Sequence, residues 1–307
     1  MNVTISADRA YRASRLIKKI FLTFILVSLL LPQTGFGETK ELFQGDSIYN
    51  HITIHQNDSE YCMLFGRQAD NRETCMDLNE PDLSIFEYTS MMFVGFLFNP
   101  ETKKACLIGL GGGYIPTVFR MHLPGIKLQT VEIDPLVHQL AVKYFKFTVP
   151  SSQSITIADG RQYLRRNKER FDQIWVDAFN SDYIPAHMTT KEFLQLCRSR
   201  LSENGIVVQN VHGANQLYDA QVATFREVFA KVYIFEGNRS NNRIIVAADK
   251  PLFAPPLLKE AAQRYKGKIG KIDLLEEMGK YNPKPEFRKA PVLTDDYNPA
   301  NLMLHQR

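Results

Sequence analysis

The chain has 307 residues, of which 44% are hydrophobic and 23% are charged, with 17 glycines and 15 prolines. These are ordinary globular values, and they exclude collagenous, coiled-coil and wholly disordered chains. The formal net charge of +4, from 37 basic and 33 acidic residues, is too small to support nucleic-acid binding, so no nucleic-acid partner is expected.

The first predicted element is a leader over residues 1–37. A basic cluster between positions 12 and 19 precedes the apolar stretch 20–31, and small residues follow at Gly35 and Gly37. This order is typical of a secretory signal peptide, and the stretch is shorter than the ~20 residues of a membrane span. We expect a cleaved signal peptide or, if it is not cut, a membrane anchor through residues 20–31, with the rest of the chain exported to the periplasm. A buried core helix is the alternative.

Residues 38–85 alternate short hydrophobic runs with Asn, Asp and Gly, which predicts a small antiparallel β-element that serves as a lid or in dimerisation. Cys62 and Cys75 flank a turn-forming stretch and can face each other across a hairpin, so an exported protein could join them as a disulfide. Cys106 and Cys197 lie in apolar or helical contexts and are predicted to be buried. The cysteine spacing does not fit a zinc site, and no metal site is predicted.

From residue 86 to residue 250 strands and helices alternate, which predicts a parallel sheet with helices on both faces. After a helix over 86–99, the predicted strands are 105–109, 127–132, 155–158, 173–177, 205–210 and 243–248, and the predicted helices are 114–122, 135–144, 162–169, 190–201 and 216–229. Residues 251–307 are predicted to be a helical and irregular C-terminal extension.

Ligands of open α/β sheets bind at the carboxyl ends of the strands. The first informative end is a glycine-rich loop that contains Gly109, Gly111 and Gly113. Because glycine has no side chain, the backbone can approach a ligand, and the following helix N-terminus offers N–H groups. A tight strand-to-helix turn without a ligand is the alternative.

The next two strand ends favour a nucleoside. Glu132, about twenty residues after the glycine loop, stands where a carboxylate accepts hydrogen bonds from both ribose hydroxyls. Asp159 is placed to accept from an adenine amino group or to cap the helix that follows, and the two roles are compatible. The loop reads GxGxG and departs from the GxGxxG pattern of dinucleotide binding.

The fourth end carries Asp177, which closes a hydrophobic strand and enters a polar loop. A carboxylate at this position can orient an incoming amine and take its proton as the amine attacks an electrophilic carbon. A carboxylate that only caps the loop is the alternative.

The ordered set of motifs resembles the spermidine/spermine synthase (polyamine aminopropyltransferase) family, within its bacterial spermidine-synthase-like branch. The resemblance covers roughly residues 47–301. Its motifs are the glycine loop, VEID at 131–134, DGR at 159–161, VDAF at 176–179, a helix that begins with TKEF at 190–193, and PVLTDDYNP at 291–299.

This resemblance implies a class I S-adenosylmethionine-type Rossmann-like fold. It also implies aminopropyl transfer from decarboxylated S-adenosylmethionine to putrescine or a related amine, with no permanently bound cofactor. By motif position, Glu132 resembles the ribose ligand, Asp159 the adenine ligand, Asp177 the catalytic base and Tyr88 an aromatic residue that helps to hold the amine. A homodimer is expected because dimers are usual in the family.

The chain departs from the family pattern at two acids that contact cationic amines. Gly112 stands where the glycine loop of the family carries an acid, and Asn180 replaces the second acid of the strand-four motif. An ammonium buried without a countercharge costs several kcal/mol. Asn180 and Asp182 are therefore the predicted amine contacts, with Asp182 or Glu87 as substitutes for the missing charge.

Two other functions remain open at this point. A methyltransferase that uses S-adenosylmethionine has the same fold and nucleoside contacts, and the neutral Gly112 tolerates the donor's carboxylate better than an acid would. An exported, non-catalytic binding protein on the same fold is the third reading, because adenosyl sulfonium donors are made in the cytosol.

Overall fold

A computed structural model describes residues 39–66, 72–179, 184–213, 216–250 and 255–303. The predicted leader lies outside this part of the chain. Residues Thr39–Arg307 constitute one compact unit. Within the described ranges, no helix has both the length and the apolar character needed to cross a bilayer.

The predicted antiparallel β-element is confirmed. It is a four-stranded sheet in the order β1-β2-β3-β4, formed by β1 (Lys40–Asp46), β2 (His51–Asn57), β3 (Glu60–Phe65) and β4 (Arg72–Asp77). Buried residues such as Ile54 and Met63 join its inner face to the main core. Cys62 and Cys75 are directly opposite each other on β3 and β4 and form a disulfide, as the sequence allowed.

The main sheet has eight strands in the order β12-β10-β11-β9-β8-β5-β6-β7. Strands β5 to β9 run parallel, as predicted, and β10 to β12 extend the sheet antiparallel beside β9. Their bounds are β5 (Lys104–Ile108), β6 (Lys127–Glu132), β7 (Gln153–Ile157), β8 (Phe171–Val176), β9 (Leu201–His212), β10 (Lys231–Glu236), β11 (Asn242–Ala248) and β12 (Tyr281–Asn282). The sequence did not predict β10 or the two-residue β12.

Helices cover both faces of this sheet. They are α1 (Glu87–Met91), α2 (Gly95–Phe98), α3 (Tyr114–His122), α4 (Pro135–Tyr144), α5 (Gly160–Arg166), α6 (Lys191–Ser199), α7 (Gln216–Val228), α8 (Pro255–Tyr265), α9 (Leu274–Met278) and α10 (Ala300–Met303), with 3-10 helices at Met92–Val94 and Ala186–Met188. The single helix predicted over 86–99 is divided into α1, a 3-10 turn and α2. The break coincides with a close approach of Gly95 to Gln173, where a Cβ on the glycine would lie 2.2 Å from Oε1.

Successive residues of the central strands face opposite cores, which is why these strands read as continuous apolar runs. In β8, Trp175 belongs to one buried cluster, while Ile174 and Val176 belong to the other. The Trp175 ring centroid lies 5.0 Å from that of Phe93 and 5.5 Å from that of Phe119, both in edge-on geometry. Aromatic packing of this kind fixes β8 firmly, and Asp177 follows directly after it.

Candidate active site

A cavity of about 580 Å³ lies at the carboxyl ends of β5, β6, β8 and β9. This is the sheet edge where the sequence analysis expected a ligand. Residues of the small sheet, including Tyr49, Asn50 and Thr74, complete its wall. The small sheet and the main sheet therefore form one site together.

The glycine loop needs glycine for its backbone conformation. Gly109, Gly111 and Gly113 have φ values of +103°, +54° and +83°, which side chains rarely adopt. A Cβ on Gly109 would lie 2.1 Å from the carbonyl oxygen of Asp177. The two strand ends are thus in contact, and Asp177 is held beside the loop.

The space next to this loop is occupied largely by the protein itself. A Cβ on Gly112 would lie 2.8 Å from Cδ1 of Phe145, and a Cβ on Gly113 would lie 2.8 Å from Cδ2 of Phe147. Of the predicted loop contacts, Gly109 and Gly111 line the cavity. Gly113 is the N-cap of α3 and packs against Phe147, and its contact with a ligand stays a prediction.

Glu132 ends β6, lines the cavity and is 8% exposed. Its Oε2 accepts a hydrogen bond from the Leu110 amide at 2.8 Å, and its Oε1 accepts one from the Asp134 amide at 2.9 Å. Burial raises the pKa of Glu132, and these amide hydrogen bonds oppose the rise. The carboxylate therefore ties the glycine loop to the start of α4, and its oxygens keep lone pairs for a ligand.

Asp159 caps α5, as one reading of the sequence predicted, because its Oδ1 accepts from the Gln162 amide at 2.8 Å. Its Oδ2 lies 2.7 Å from Nε2 of His187, which also lines the cavity. Burial opposes ionisation, but the His187 and Gln162 hydrogen bonds outweigh it and hold the pKa of Asp159 below its usual value. His187 was not among the residues predicted from the sequence.

The C-terminal segment supports the turn that carries His187. Arg161 donates to the carbonyl of His187 at 2.9 Å and forms a two-pronged ion pair with Asp295. Asn298 donates to the carbonyl of Ala186 at 2.6 Å. Two motifs of the sequence, DGR at 159–161 and TDDYNP at 294–299, thus meet behind the part of the cavity that Asp159 and His187 line.

Asp177 lies at the other end of the cavity, where its Oδ1 accepts from Nδ2 of Asn210 at 3.0 Å. Burial raises the pKa of Asp177 to about 6, and the hydrogen bond from Asn210 works against that rise. A carboxyl with this pKa is ionised at neutral pH and is still a competent proton acceptor. The predicted amine contacts Asn180 and Asp182 lie outside the described residues.

Tyr88 of α1 lines the same end of the cavity, and its hydroxyl donates to the carbonyl of Glu73 at 3.3 Å. Burial, followed by the negative charges of Asp177 and Glu73, raises the pKa of Tyr88 well above its ordinary value. The phenol therefore remains protonated and acts as a hydrogen-bond donor.

Glu87 lines the cavity too, but its charge is already committed. The carboxylate accepts from the amides of Asn238 and Arg239 at 3.0 and 2.7 Å, and lies 3.2 Å from Nζ of Lys280, which is equally buried. The suggestion that Glu87 replaces a missing acid at the amine site is therefore not supported.

Comparisons with known proteins identify chains that are similar to this one. Residues 85–239 match the family model described as the spermine/spermidine synthase domain. The polyamine aminopropyltransferase of Vibrio vulnificus (strain CMCP6) is 32% identical over 298 residues, which cover 94% of this chain and 99% of that protein.

Two solved structures are also similar. A spermidine synthase in complex with the transition state analogue AdoDATO has a TM-score of 0.66 and 21% identity, and covers 80% of this chain and 86% of its own. Human methyltransferase-like protein 13 in complex with SAH has a TM-score of 0.55 and 24% identity, and covers 71% of this chain and 100% of its own. These likenesses confirm the predicted Rossmann-like fold.

Proposed function

The chain belongs to the spermine/spermidine synthase family, and on that premise we propose that it transfers the aminopropyl group of decarboxylated S-adenosylmethionine to putrescine or a related amine. The amine nitrogen forms a bond to the aminopropyl carbon next to the sulfonium, and the carbon–sulfur bond breaks. Sulfur leaves with the electron pair as methylthioadenosine, and the amine loses a proton. The rate enhancement comes chiefly from holding the two reactants in line.

At the nucleoside end, we assign the ribose hydroxyls to Glu132 and the adenine amino group to Asp159. Glu132 is suited to this role because backbone amides fix both of its oxygens while it lines the cavity. The AdoDATO and SAH complexes of the two similar structures support an adenosyl co-substrate for the fold.

At the amine end, we assign the proton acceptor to Asp177. Its pKa of about 6 leaves it ionised at neutral pH, so that it can attract the amine and accept its proton. Tyr88 lines the cavity beside it, and because its proton is donated to the Glu73 carbonyl, its hydroxyl oxygen can accept a hydrogen bond from the amine. The observation that carries the proposal is that Glu132 and Asp177 line the same cavity from different strand ends.

The test is an assay of the purified full chain with decarboxylated S-adenosylmethionine and putrescine, in which methylthioadenosine is quantified and the polyamine product is identified by mass spectrometry. We expect equimolar methylthioadenosine and spermidine. The Asp177→Asn variant should lose nearly all activity, while Glu203→Gln, a change at an exposed acid outside the cavity, should match the wild type.

A parallel arm with S-adenosylmethionine separates the two transfer reactions. A methylated amine together with S-adenosylhomocysteine would identify methyl transfer and contradict aminopropyl transfer. If calorimetry detects no binding of either donor or of methylthioadenosine, both enzyme functions are excluded.

From the sequence alone we further propose that the leader exports the enzyme or anchors it to the membrane, and that the enzyme is a homodimer. Protease accessibility in spheroplasts tests the first proposal, and a cytoplasmic location would contradict it. Sedimentation of the purified protein tests the second, and a monomer at micromolar concentration would contradict it.

A further inference from the structure

Two asparagine side chains connect the β10–β11 turn to Asp177. Nδ2 of Asn242, at the start of β11, donates to Oδ1 of Asn210 at 3.1 Å. Nδ2 of Asn210, in β9, then donates to Oδ1 of Asp177 at 3.0 Å. All three side chains line the cavity, and Asn210 is buried.

The first of these hydrogen bonds sets the direction of the second. An asparagine amide presents an oxygen acceptor on one side and an NH₂ donor on the other. Because Asn242 donates to its oxygen, Asn210 turns its NH₂ toward Asp177. The reversed amide would place its oxygen against a carboxylate oxygen and its NH₂ against another NH₂, and both contacts are repulsive.

This direction matters because Asn210 is the hydrogen-bond donor to Asp177 among the described residues. The donated bond stabilises the ionised carboxylate against the cost of burial. It also occupies Oδ1 and restricts rotation of the carboxylate. The remaining lone pairs of Asp177 are left for the amine.

Asn242 is in turn held by a buried ionic cluster. Glu87 accepts from the amides of Asn238 and Arg239 in the β10–β11 turn, and Lys280 neutralises its charge at 3.2 Å. The amide of Gly237 closes the turn by donating to the carbonyl of Asn242 at 3.1 Å. The position of Asn242 is therefore fixed from two sides.

We propose that Asn242 is a positioning residue that acts on Asp177 through the amide of Asn210, and this inference rests on the proposed function of Asp177 as the proton acceptor. Asn242 sets the proton affinity and the orientation of the base without taking the proton. The charged and titratable residues that line the cavity together with Asp177 are Tyr49, Arg72, Glu73, Glu87, Tyr88, Tyr114, Glu132, Asp134, Asp159, His187 and His212.

The test compares the wild type with Asn242→Leu, which keeps the branching and the number of side-chain heavy atoms but has no donor. Without the donor, the Asn210 amide is free to reverse, and we expect the acidic limb of kcat/KM for decarboxylated S-adenosylmethionine and putrescine to move up by about one pH unit. Activity should then fall by about threefold at pH 6.5 and change little at pH 8.5. A purely structural role would lower activity equally at both pH values.

A second readout does not depend on turnover. ¹³C NMR titration of the aspartate carboxyl signals, with the Asp177 signal assigned by its loss in Asp177→Asn, should show the same upward shift in Asn242→Leu. If the wild type shows no turnover but the Asp177 signal still titrates at higher pH in Asn242→Leu, the proposed function is contradicted and the positioning role stands.

The matched control is Asn241→Ala. Asn241 is the exposed neighbour, and its backbone carbonyl, which accepts from the Gly213 amide at 2.7 Å, is kept by the substitution. The Asn241→Ala substitution should leave the pH profile and the carboxyl titration unchanged.

A second variant, Asn242→Ser, retains a short donor and should shift the profile less than Asn242→Leu. It replaces the leucine variant if that variant does not fold. Coincident titrations of Asp177 in the wild type and the variants would overturn the inference.

Discussion

The two ends of the cavity hold their carboxylates in different ways. Glu132 and Asp159 accept hydrogen bonds from backbone amides a few residues away or in the adjacent loop. Asp177 accepts from the side chain of Asn210 on a neighbouring strand, and that side chain is turned by another on β11. Asp159 also pairs with the side chain of His187 at 2.7 Å. Because backbone amides remain when side chains are substituted, the hold on Glu132 is robust to substitution, whereas single side-chain changes can alter the position of Asp177.

The largest effect should come from Asp177→Asn, which removes the proton acceptor at the amine end. We expect kcat to fall by about 10²–10⁴-fold, the usual contribution of general base catalysis, with little change in the affinity for methylthioadenosine. Steady-state kinetics and calorimetry measure the two quantities. An equal loss of nucleoside affinity would show that the two ends are not independent.

This loss should not arise from unfolding. Burial raises the pKa of Asp177 to about 6 in the folded state, so its contribution to stability is present below the unfolded pKa and is lost as pH rises through about 6. The neutral asparagine avoids this loss, and at pH 8 the variant should be at least as stable as the wild type in chemical denaturation. A less stable variant at that pH would contradict this assignment of the pKa.

The next effect should come from Glu132→Gln at the nucleoside end. A glutamine oxygen can replace one of the two acceptors, but the amide NH₂ would face the other backbone N–H. Hydrogen bonds to charged groups contribute about 1.5–3 kcal/mol, so methylthioadenosine should bind roughly 10–100-fold more weakly. Calorimetry checks this value, with Glu203→Gln as the control. An unchanged affinity for methylthioadenosine would show that Glu132 does not bind the ribose.

The pH dependence should distinguish the two ends further. With a pKa of about 6 for Asp177, kcat/KM should fall by roughly tenfold between pH 7 and pH 5 as the base becomes protonated. The affinity for methylthioadenosine should not follow the same curve, because Asp177 is at the amine end. If kcat/KM and the affinity for methylthioadenosine followed the same pH curve, the separation of the cavity into two independent ends would be contradicted.

The smallest effect is expected from Gly112→Asp, which restores the acid of the family pattern. The new Cβ would clash with Phe145, and overpacking of this kind costs about 1–3 kcal/mol. We expect a lower free energy of unfolding and no gain in activity, measured by urea denaturation and the transfer assay. Increased activity with unchanged stability would mean that the loop can open toward the cavity.

The same contrast explains how much the sequence could predict. The bounds of α3 and α4 match the predicted 114–122 and 135–144 because the signals are local: a glycine loop precedes one helix, and Asp134 followed by Pro135 starts the other. Asp159 as a helix cap is also a local pattern. Glu132 could be placed at a strand end from spacing alone.

The contacts of Asp177 depend on pairing between distant segments. Asn210 and Asn242 come together because β11 lies antiparallel to β9, with Ile244 opposite Asn210. The sequence did not predict β10, whose turn into β11 leads directly to Asn242. Nor could it show that Phe145 and Phe147 fill the space beside the glycines, since this requires the path of the chain after α4.

The disulfide of the small sheet has a consequence for the larger site. Thr74, the neighbour of Cys75, lies against the glycine loop, where a Cβ on Gly111 would come within 3.3 Å of its Cβ. Cleavage of the bond by a thiol reductant would leave this strand pair joined only by non-covalent contacts, namely its backbone ladder and side-chain contacts such as Arg72 with Glu60. The affinity for the proposed adenosyl donor would then depend on the oxidation state of the surroundings, although neither cysteine lines the cavity.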